Sequence, residues 1–316
     1  MLPPRALLGL LCPLALAAQS VPHHTAINPV LAARSALYHQ PHLPPQPGWR
    51  HSVIVDYSNA IETGITRDRR QYLFDAELLQ VDLWLTRDLS PQWFVTGNVA
   101  LRSAHDGMLD AFLNWYHEVI GLPVPARNRR PNDTYGWTIE LPGGTLDIPR
   151  ARPFLGDLRL GIGHRVGRAQ VVASVTLPTA TTSVAEWKRG TVGTALSASY
   201  RALERSRLSL DVGAAAGWTP RHGVLAEYQR TTFLAGSAAF RWRVIRRQEV
   251  FATLFTQTAG HTGTGFTAMD DPEVTLDFGG LLFLGDGWPR LQLGMTEDLL
   301  PRGPSVDAGF RLGLHW

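Results

Sequence analysis

From residue 49 to the last residue, the chain is dominated by stretches in which apolar side chains recur at every second position. In the final eleven residues, Val306, Ala308, Phe310, Leu312, Leu314 and Trp316 fall on one face, and Asp307, Gly309, Arg311, Gly313 and His315 on the other. A period of two is that of a strand with one face buried in an apolar medium. Leu79, Val81, Leu83 and Leu85 alternate with Gln80, Asp82, Trp84 and Thr86 in the same way, as do Val192, Leu196, Ala198 and Tyr200 with Gly193, Ser197, Ser199 and Arg201. Leu208, Leu210 and Val212 alternate with Ser209, Asp211 and Gly213, and Leu234, Ala238, Phe240, Trp242 and Val244 with Ser237, Ala239, Arg241 and Arg243. In 249–258 the register is ambiguous, because Phe251 and Phe255 oppose Val250, Ala252 and Leu254.

Such strands build either a sandwich, apolar face inward, or a membrane barrel, apolar face outward. The second face decides between them. It is rich in Gly, Ala and Ser with isolated charges, which suits a narrow lumen better than a solvent face. Twelve strands are predicted, near 49–58, 72–86, 93–104, 157–166, 170–178, 191–203, 207–217, 229–245, 249–258, 273–284, 289–296 and 305–316. Their connections alternate long and short, the habit of bacterial barrels with short periplasmic turns and long outer loops. Trp93, Tyr200, Trp242 and Trp316 would form a periplasmic aromatic girdle, and Tyr57, Trp218 and Tyr228 an outer one. Lipid offers no hydrogen-bond partners, so strands span it only as a closed barrel. The expected fold is therefore all-β, a transmembrane antiparallel up-and-down barrel of about twelve strands in the bacterial outer membrane. The terminal Trp316 is the kind of residue that barrel assembly machinery is expected to read.

The first residues have another character. Arg5, an apolar core from Ala6 to Leu16 and the small pair Ala15 and Ala17 predict a signal peptide over 1–17. Leu11 before Cys12 argues against a lipoprotein site, and cleavage would leave the mature chain free of cysteine. Residues 18–48 are rich in Pro and His. His23, His24, His39 and His42 have no metal-ligand spacing, so no metal and no cofactor is expected. The segment reads as a flexible periplasmic lead-in or as one entering the lumen.

The segment 105–156 is a long outer loop, and within it 108–120 predicts an amphipathic helix, with Asp106 to cap it and Gly121 to end it. Leu109, Phe112, Leu113, Trp115, Tyr116, Val119 and Ile120 share one arc, and Asp110, Asn114, His117 and Glu118 the other. The apolar arc needs a home at the barrel mouth, the outer rim or the lipid interface. Arg127, Arg129 and Arg130 follow, as a solvated loop or a contact to lipopolysaccharide.

The stretch Gly107-x-x-Asp110-x-Phe112-x-x-x-Tyr116-His117, with Gly121-Leu122-Pro123 and Arg127, resembles the signature of a bacterial family known as domain of unknown function 3187. Asn28-Pro29, Asp75-x-Glu77, Leu155-Gly156-Asp157 and Leu177-Pro178-Thr179 echo it. The resemblance implies an outer-membrane barrel of unassigned activity and brings no catalytic residues.

No enzyme motif stands out. His51 and Ser52 are neighbours and so point to opposite faces, and His164 faces outward without a nucleophile beside it. No catalytic residue is assigned. Asp110, Asn114 and His117 share a helix face and could do acid–base work, but structural bonding is the expected role. Strand register points Arg102, Arg159, Arg165, Arg201, Arg241, Arg243, Arg290 and Arg311 into the lumen against Asp82, Asp211, Asp277 and Asp307. A positive wall favours anions. The expectation is a narrow channel or transporter for small, possibly anionic, solutes, its mouth restricted by helix 108–120. A non-conducting structural or interaction barrel is the alternative, and a lipid-acting enzyme a weaker one. The expected partners are outer-membrane lipid and lipopolysaccharide. A net charge of +3 with scattered arginines argues against nucleic acid.

Overall fold

The computed structural model describes residues 23–121, 127, 130–245, 247–285, 288–300, 303–304 and 306–316. The expected signal peptide lies outside the described residues, as does Arg129. Twelve long antiparallel strands form the wall. They are β1 (Trp49–Ile65), β2 (Gln71–Asp88), β3 (Trp93–His105), β4 (Leu158–Val166), β5 (Ala169–Leu177), β6 (Gly193–Glu204), β7 (Leu208–Trp218), β8 (Thr232–Ile245), β9 (Gln248–Gln257), β10 (Glu273–Phe283), β11 (Arg290–Asp298) and β12 (Ala308–His315). Each pairs with its chain neighbours, and β12 pairs with β1 through Phe310 opposite Tyr57 and Leu312 opposite Val55, which closes the barrel. No helix among the described residues is long and apolar enough to cross a membrane, so the strands do the crossing.

Alternation sorts the side chains as expected. Leu83, Leu160, Ile162, Leu196, Leu234, Phe240, Leu293 and Leu312 point outward and are exposed, a continuous apolar belt for lipid. Trp49, Trp93, Tyr200, Trp242 and Trp316 ring the periplasmic edge. The outer girdle is thinner than expected. Trp218 is exposed, but Tyr57 lies half-buried beneath a helix and Tyr228 packs on the core under the outer loops. The register of β9 is settled: Phe251 and Phe255 face inward and are buried, while Val250 and Leu254 face outward. Aromatic rings can face this lumen because it is filled. The ring of His24 lies 4.7 Å from that of Phe255.

β1 and β2 have 17 and 18 residues, more than the roughly 10 a membrane strand needs, so their paired tips rise beyond the bilayer. There the hairpin of Gly136–Leu141 and Gly144–Asp147 extends the sheet, with Ile139 opposite Tyr72. Trp137, Phe74, Trp187, Leu225, Phe266 and Met269 pack beneath the outer loops as a small apolar core.

Candidate functional site

The lumen is occupied by the chain's own N-terminal segment. From residue 23 it runs toward the outer mouth and makes one helical turn, α1 (Pro29–Ala32). It then descends and leaves at the periplasmic edge, where Gln46 N donates to Asp88 Oδ2 at 2.7 Å. Asn28 starts the turn, its side chain accepting from Val30 N at 3.0 Å, and Pro29 supplies a helix-compatible φ. His24 and Thr25 pair with His39 and Tyr38, so the segment is a hairpin. Nearly every residue from 23 to 43 is buried. Of the two readings left open for this segment, the one entering the lumen holds.

The wall is shaped to receive it. A Cβ on Gly217 would lie 2.9 Å from Leu37 Cδ2, and one on Gly193 3.2 Å from the Cβ of Ala36. Ala195, Ala215 and Ala235 continue this small-residue patch around Leu37. The Gly and Ala content of the inward face thus makes room for the hairpin. His23 stacks on Trp84 with ring centroids 4.1 Å apart, and Tyr38 lies under the Arg159 guanidinium at 4.3 Å.

An irregular segment in a closed barrel must satisfy carbonyls that no strand ladder reaches. The wall arginines and one loop arginine do this. Arg189 donates to the carbonyls of Arg34 and Ser35 at 2.6 and 2.7 Å. Arg165 Nε donates to Leu43 O at 2.5 Å, Arg201 Nη2 to His42 O at 3.3 Å, and Arg102 Nη1 to Ala32 O at 3.5 Å. Arg201 also pairs with Asp211 at 2.5 Å, and Arg241 lies 3.7 Å from the same carboxylate. Arg311 bridges Asp56 and Asp277. Asp82 accepts from Asn98 at 2.9 Å, and Arg243 pairs with Glu249 at 3.1 Å.

The predicted lumen residues Asp82, Arg102, Arg159, Arg201, Asp211, Arg241, Arg243, Asp277 and Arg311 therefore all point inward, but much of their bonding is to the hairpin and to each other. The charge count read from the sequence was incomplete. Asp56, Glu249 and Glu273 are buried inward acids that it missed, Arg50 and Arg34 are inward arginines that it missed, and Asp307 lies outside the lumen, bonded to Arg127. At the periplasmic mouth an open vestibule of about 540 Å³ is lined by Arg201, Arg205, Arg207, Arg241 and Arg243 with Glu204 and Glu249.

Helix 108–120 does not restrict the mouth. The helix, α2 (Asp110–Ile120), lies against the outside of the wall at the outer rim. Its polar face docks. Asp110 accepts from Asn59 and Arg127 at 2.8 and 2.9 Å, Arg127 bridges to Asp307, and His117 Nε2 lies 3.9 Å from Asp307. Asn114 donates to Asn132 at 3.3 Å. Asp106 pairs with Arg150 instead of capping, and Glu77 of β2 accepts the free N–H groups of Met108 and Leu109. Gly107 turns against that carboxylate at φ +82, where a Cβ would lie 2.0 Å from Glu77 Cδ, so only glycine fits. Gly121 ends the helix at φ 74 as expected. Arg127 is buried in this network, not solvated, and Arg130 pairs with Asp75 at 2.7 Å. Asp110 and His117 are thus buried in this network, and Asn114 lies half-buried at its edge. Met108, Phe112, Trp115 and Val119, at 72, 43, 56 and 66% exposure, look outward.

A closed twelve-stranded antiparallel wall with an apolar exterior and a polar, packed interior defines an outer-membrane β-barrel. The chain belongs to the family described as protein of unknown function (DUF3187), whose model matches residues 57–316. No curated protein matches the chain by sequence. Among solved structures it is similar to an outer-membrane channel from Pseudomonas putida F1, at 14% identity over 86% of this chain and 95% of that one, TM-score 0.54. It also resembles the NanC porin, at 7% identity over 84% and 98% of the two chains, TM-score 0.45. The β domain of the Bordetella autotransporter BrkA gives 12% identity over 86% and 99%, TM-score 0.45. The first of these shares the fold.

Proposed function

We propose that this protein is a gated outer-membrane channel for small anionic solutes, held shut at rest by residues 23–47. The observation that carries this reading is the way the hairpin is held. Beside small apolar contacts around Leu37, Tyr38 and Leu43, arginine–carbonyl bonds from the wall and from the loop residue Arg189 tether it. A carboxylate or phosphate brings opposite charge and can accept from a guanidinium in bidentate fashion, which a neutral carbonyl cannot. An anion reaching these arginines therefore competes with the hairpin for the same donors. The arginine-lined vestibule would hold the solute at the periplasmic side. The exposed face of α2 and the apolar belt would meet outer-leaflet lipid.

The test is conductance of the mature protein across a planar bilayer in a salt gradient. Wild type should be mostly closed, with an anion-biased reversal potential when open. Arg189→Gln should raise the open fraction. A cation-biased reversal potential would overturn the selectivity. Silence from Arg189→Gln, with the hairpin demonstrably loosened by hydrogen exchange, would make the barrel a structural one.

A further inference from the structure

The periplasmic vestibule, at about 540 Å³, falls within the roughly 300–1,000 Å³ of sites that hold small solutes. It is built where β6, β7, β8 and β9 meet at their periplasmic ends. Ser209 of β7 stands opposite Glu204 on one side and Arg241 on the other, and Arg243 stands opposite Glu249. Arg243 N donates to Arg207 O at 2.7 Å, which sets Arg207 and Arg243 side by side on neighbouring strands. Like charges in that position repel. Among the described residues that line the space only Pro44 and Leu208 are apolar, so it offers no wall to a large apolar body.

The charges around it do not cancel. Arg201 and Arg241 share Asp211, Arg201 also lies 3.4 Å from Glu204, and Arg243 pairs with Glu249. Arg205 and Arg207 meet no carboxylate among the described residues. Five guanidinium groups thus face three carboxylates, an excess of two positive charges. The uncompensated arginines are also the reachable ones. Arg205 and Arg207 are exposed, and the side chain of Arg243 is 22% exposed. Ser209, Arg241 and Glu249 face the lumen, while Trp242 and Val250 between them face lipid, so an occupant arrives through water.

We infer that the vestibule binds a soluble phosphate dianion, inorganic phosphate or a small phosphomonoester, on Arg205, Arg207 and Arg243, in the positive field of Arg201 and Arg241. Two excess charges call for a dianion. Guanidinium groups that approach one space from separate strands suit a single group with several acceptor oxygens better than a flat carboxylate. Pro44 lines the vestibule, and Arg201 donates to His42 O, so the anion lies where the N-terminal segment leaves the barrel. This deepens the anion-channel reading and rests on it for the solute's onward path, but not for binding itself.

The experiment is calorimetry on the folded mature protein in detergent at pH 8, where a phosphomonoester, with a second pKa of about 6, is a dianion. Inorganic phosphate and glycerol 3-phosphate are the probes. Acetate, succinate and dimethyl phosphate, a singly charged mimic of a lipid headgroup, are the controls. The probes should bind saturably and at least tenfold tighter than every control. The Arg205→Gln, Arg207→Gln double variant should weaken the probes at least tenfold. Arg87→Gln removes an exposed rim arginine that lies over Trp49, outside the vestibule, and should leave affinity unchanged. Both variants should keep wild-type heat-modifiable gel migration. Succinate or dimethyl phosphate binding as tightly as phosphate would overturn the assignment, as would equal loss in the double variant and in Arg87→Gln. Phosphate binding without any conductance would sink the channel reading and leave the site standing. Anion conductance without phosphate binding would do the reverse.

Discussion

Arg189 donates to the carbonyl of Arg34 at 2.6 Å, and Arg34 donates back to the carbonyl of Arg189 at 3.2 Å. The two residues are 155 positions apart, one on an outer loop and one on the lumen hairpin. Burial pushes their pKa values down to about 9 and about 10, so both remain cationic at neutral pH. Two like charges tolerate this proximity because each is solvated by the other's backbone, and Arg189 also has Asp157 at 3.8 Å. The pair is a latch between loop and hairpin. Replacing Arg189 by Gln removes a charged donor from two carbonyls. Hydrogen bonds to charged groups contribute about 1.5–3 kcal/mol each, and the Gln amide can still donate to one of the two carbonyls, so hairpin docking should weaken by about 2–3 kcal/mol. Amide exchange over 29–39 should speed up by between tenfold and a hundredfold, with exchange in the barrel strands unchanged.

Gly217 and Leu37 give a second handle on the same contact. A Cβ at Gly217 would lie 2.9 Å from Leu37 Cδ2 and 3.3 Å from the carbonyl oxygen of Thr194, and Leu37 is buried, so Gly217→Ala should already loosen the hairpin slightly. Gly217→Leu demands the space that Leu37 fills, and overpacking of this kind costs about 1–3 kcal/mol. That variant should fold as a barrel but show faster proteolysis within residues 23–47.

The outer-wall helix should behave independently of the lumen. Arg127→Met leaves Asp110 and Asp307 without their shared guanidinium. Removing one partner of a buried ion pair costs about 3–5 kcal/mol. Trp115 fluorescence and exchange over 108–121 should report a detached helix. Conductance should be unchanged, because α2 lies outside the mouth.

The outer loop should loosen in acid. His261 is faced by Arg34 from the hairpin, by Gln229 across an isolated bridge, by Met269, and by Arg230 bonded to its carbonyl. Its folded pKa of about 3 is below the ordinary 6.5, so the neutral buried ring contributes stability that is complete above pH 6.5 and is lost as pH falls toward 3. At pH 4.5, two units below the ordinary value, the loss is about 3 kcal/mol, at about 1.4 kcal/mol per unit. Exchange over 258–272 should quicken between pH 7.5 and 4.5 in wild type, and His261→Leu should remove most of that difference.

The wall was legible in the sequence because each strand states its own alternation. Twelve strands were read, and their ends in the structure fall within about three residues of those expected, except that β1 runs on to Ile65 where an end near 58 was expected. β9 was the exception, since both its faces carry large apolar residues and only the hairpin's rings explain why Phe255 turns inward. The hairpin itself has no period, because it is enclosed on all sides and its partners are remote, as with Arg165 and Leu43. The arginines were placed on the correct face and given an incomplete role, because the carbonyls they bind leave no mark in the sequence. The helix in the long loop was legible as amphipathic. Its docking was not, because Asp110, Leu113 and His117 turn toward the wall while Phe112, Trp115 and Val119 look out, a split that the apolar and polar arcs of the sequence do not state.

The central claim is that the N-terminal hairpin is what closes the lumen. It is tested by locking the hairpin to the wall. The chain's single cysteine, Cys12, lies in the expected signal peptide, so the mature protein offers a clean background. A Cβ at Gly193 would stand 3.2 Å from that of Ala36, close to the range of about 3.5–4.5 Å that a disulfide spans. The Ala36→Cys, Gly193→Cys double variant should be silent in the bilayer when oxidised and should recover anion conductance on reduction. Equal conductance in both states would show that ions pass without moving the hairpin, and would contradict the account.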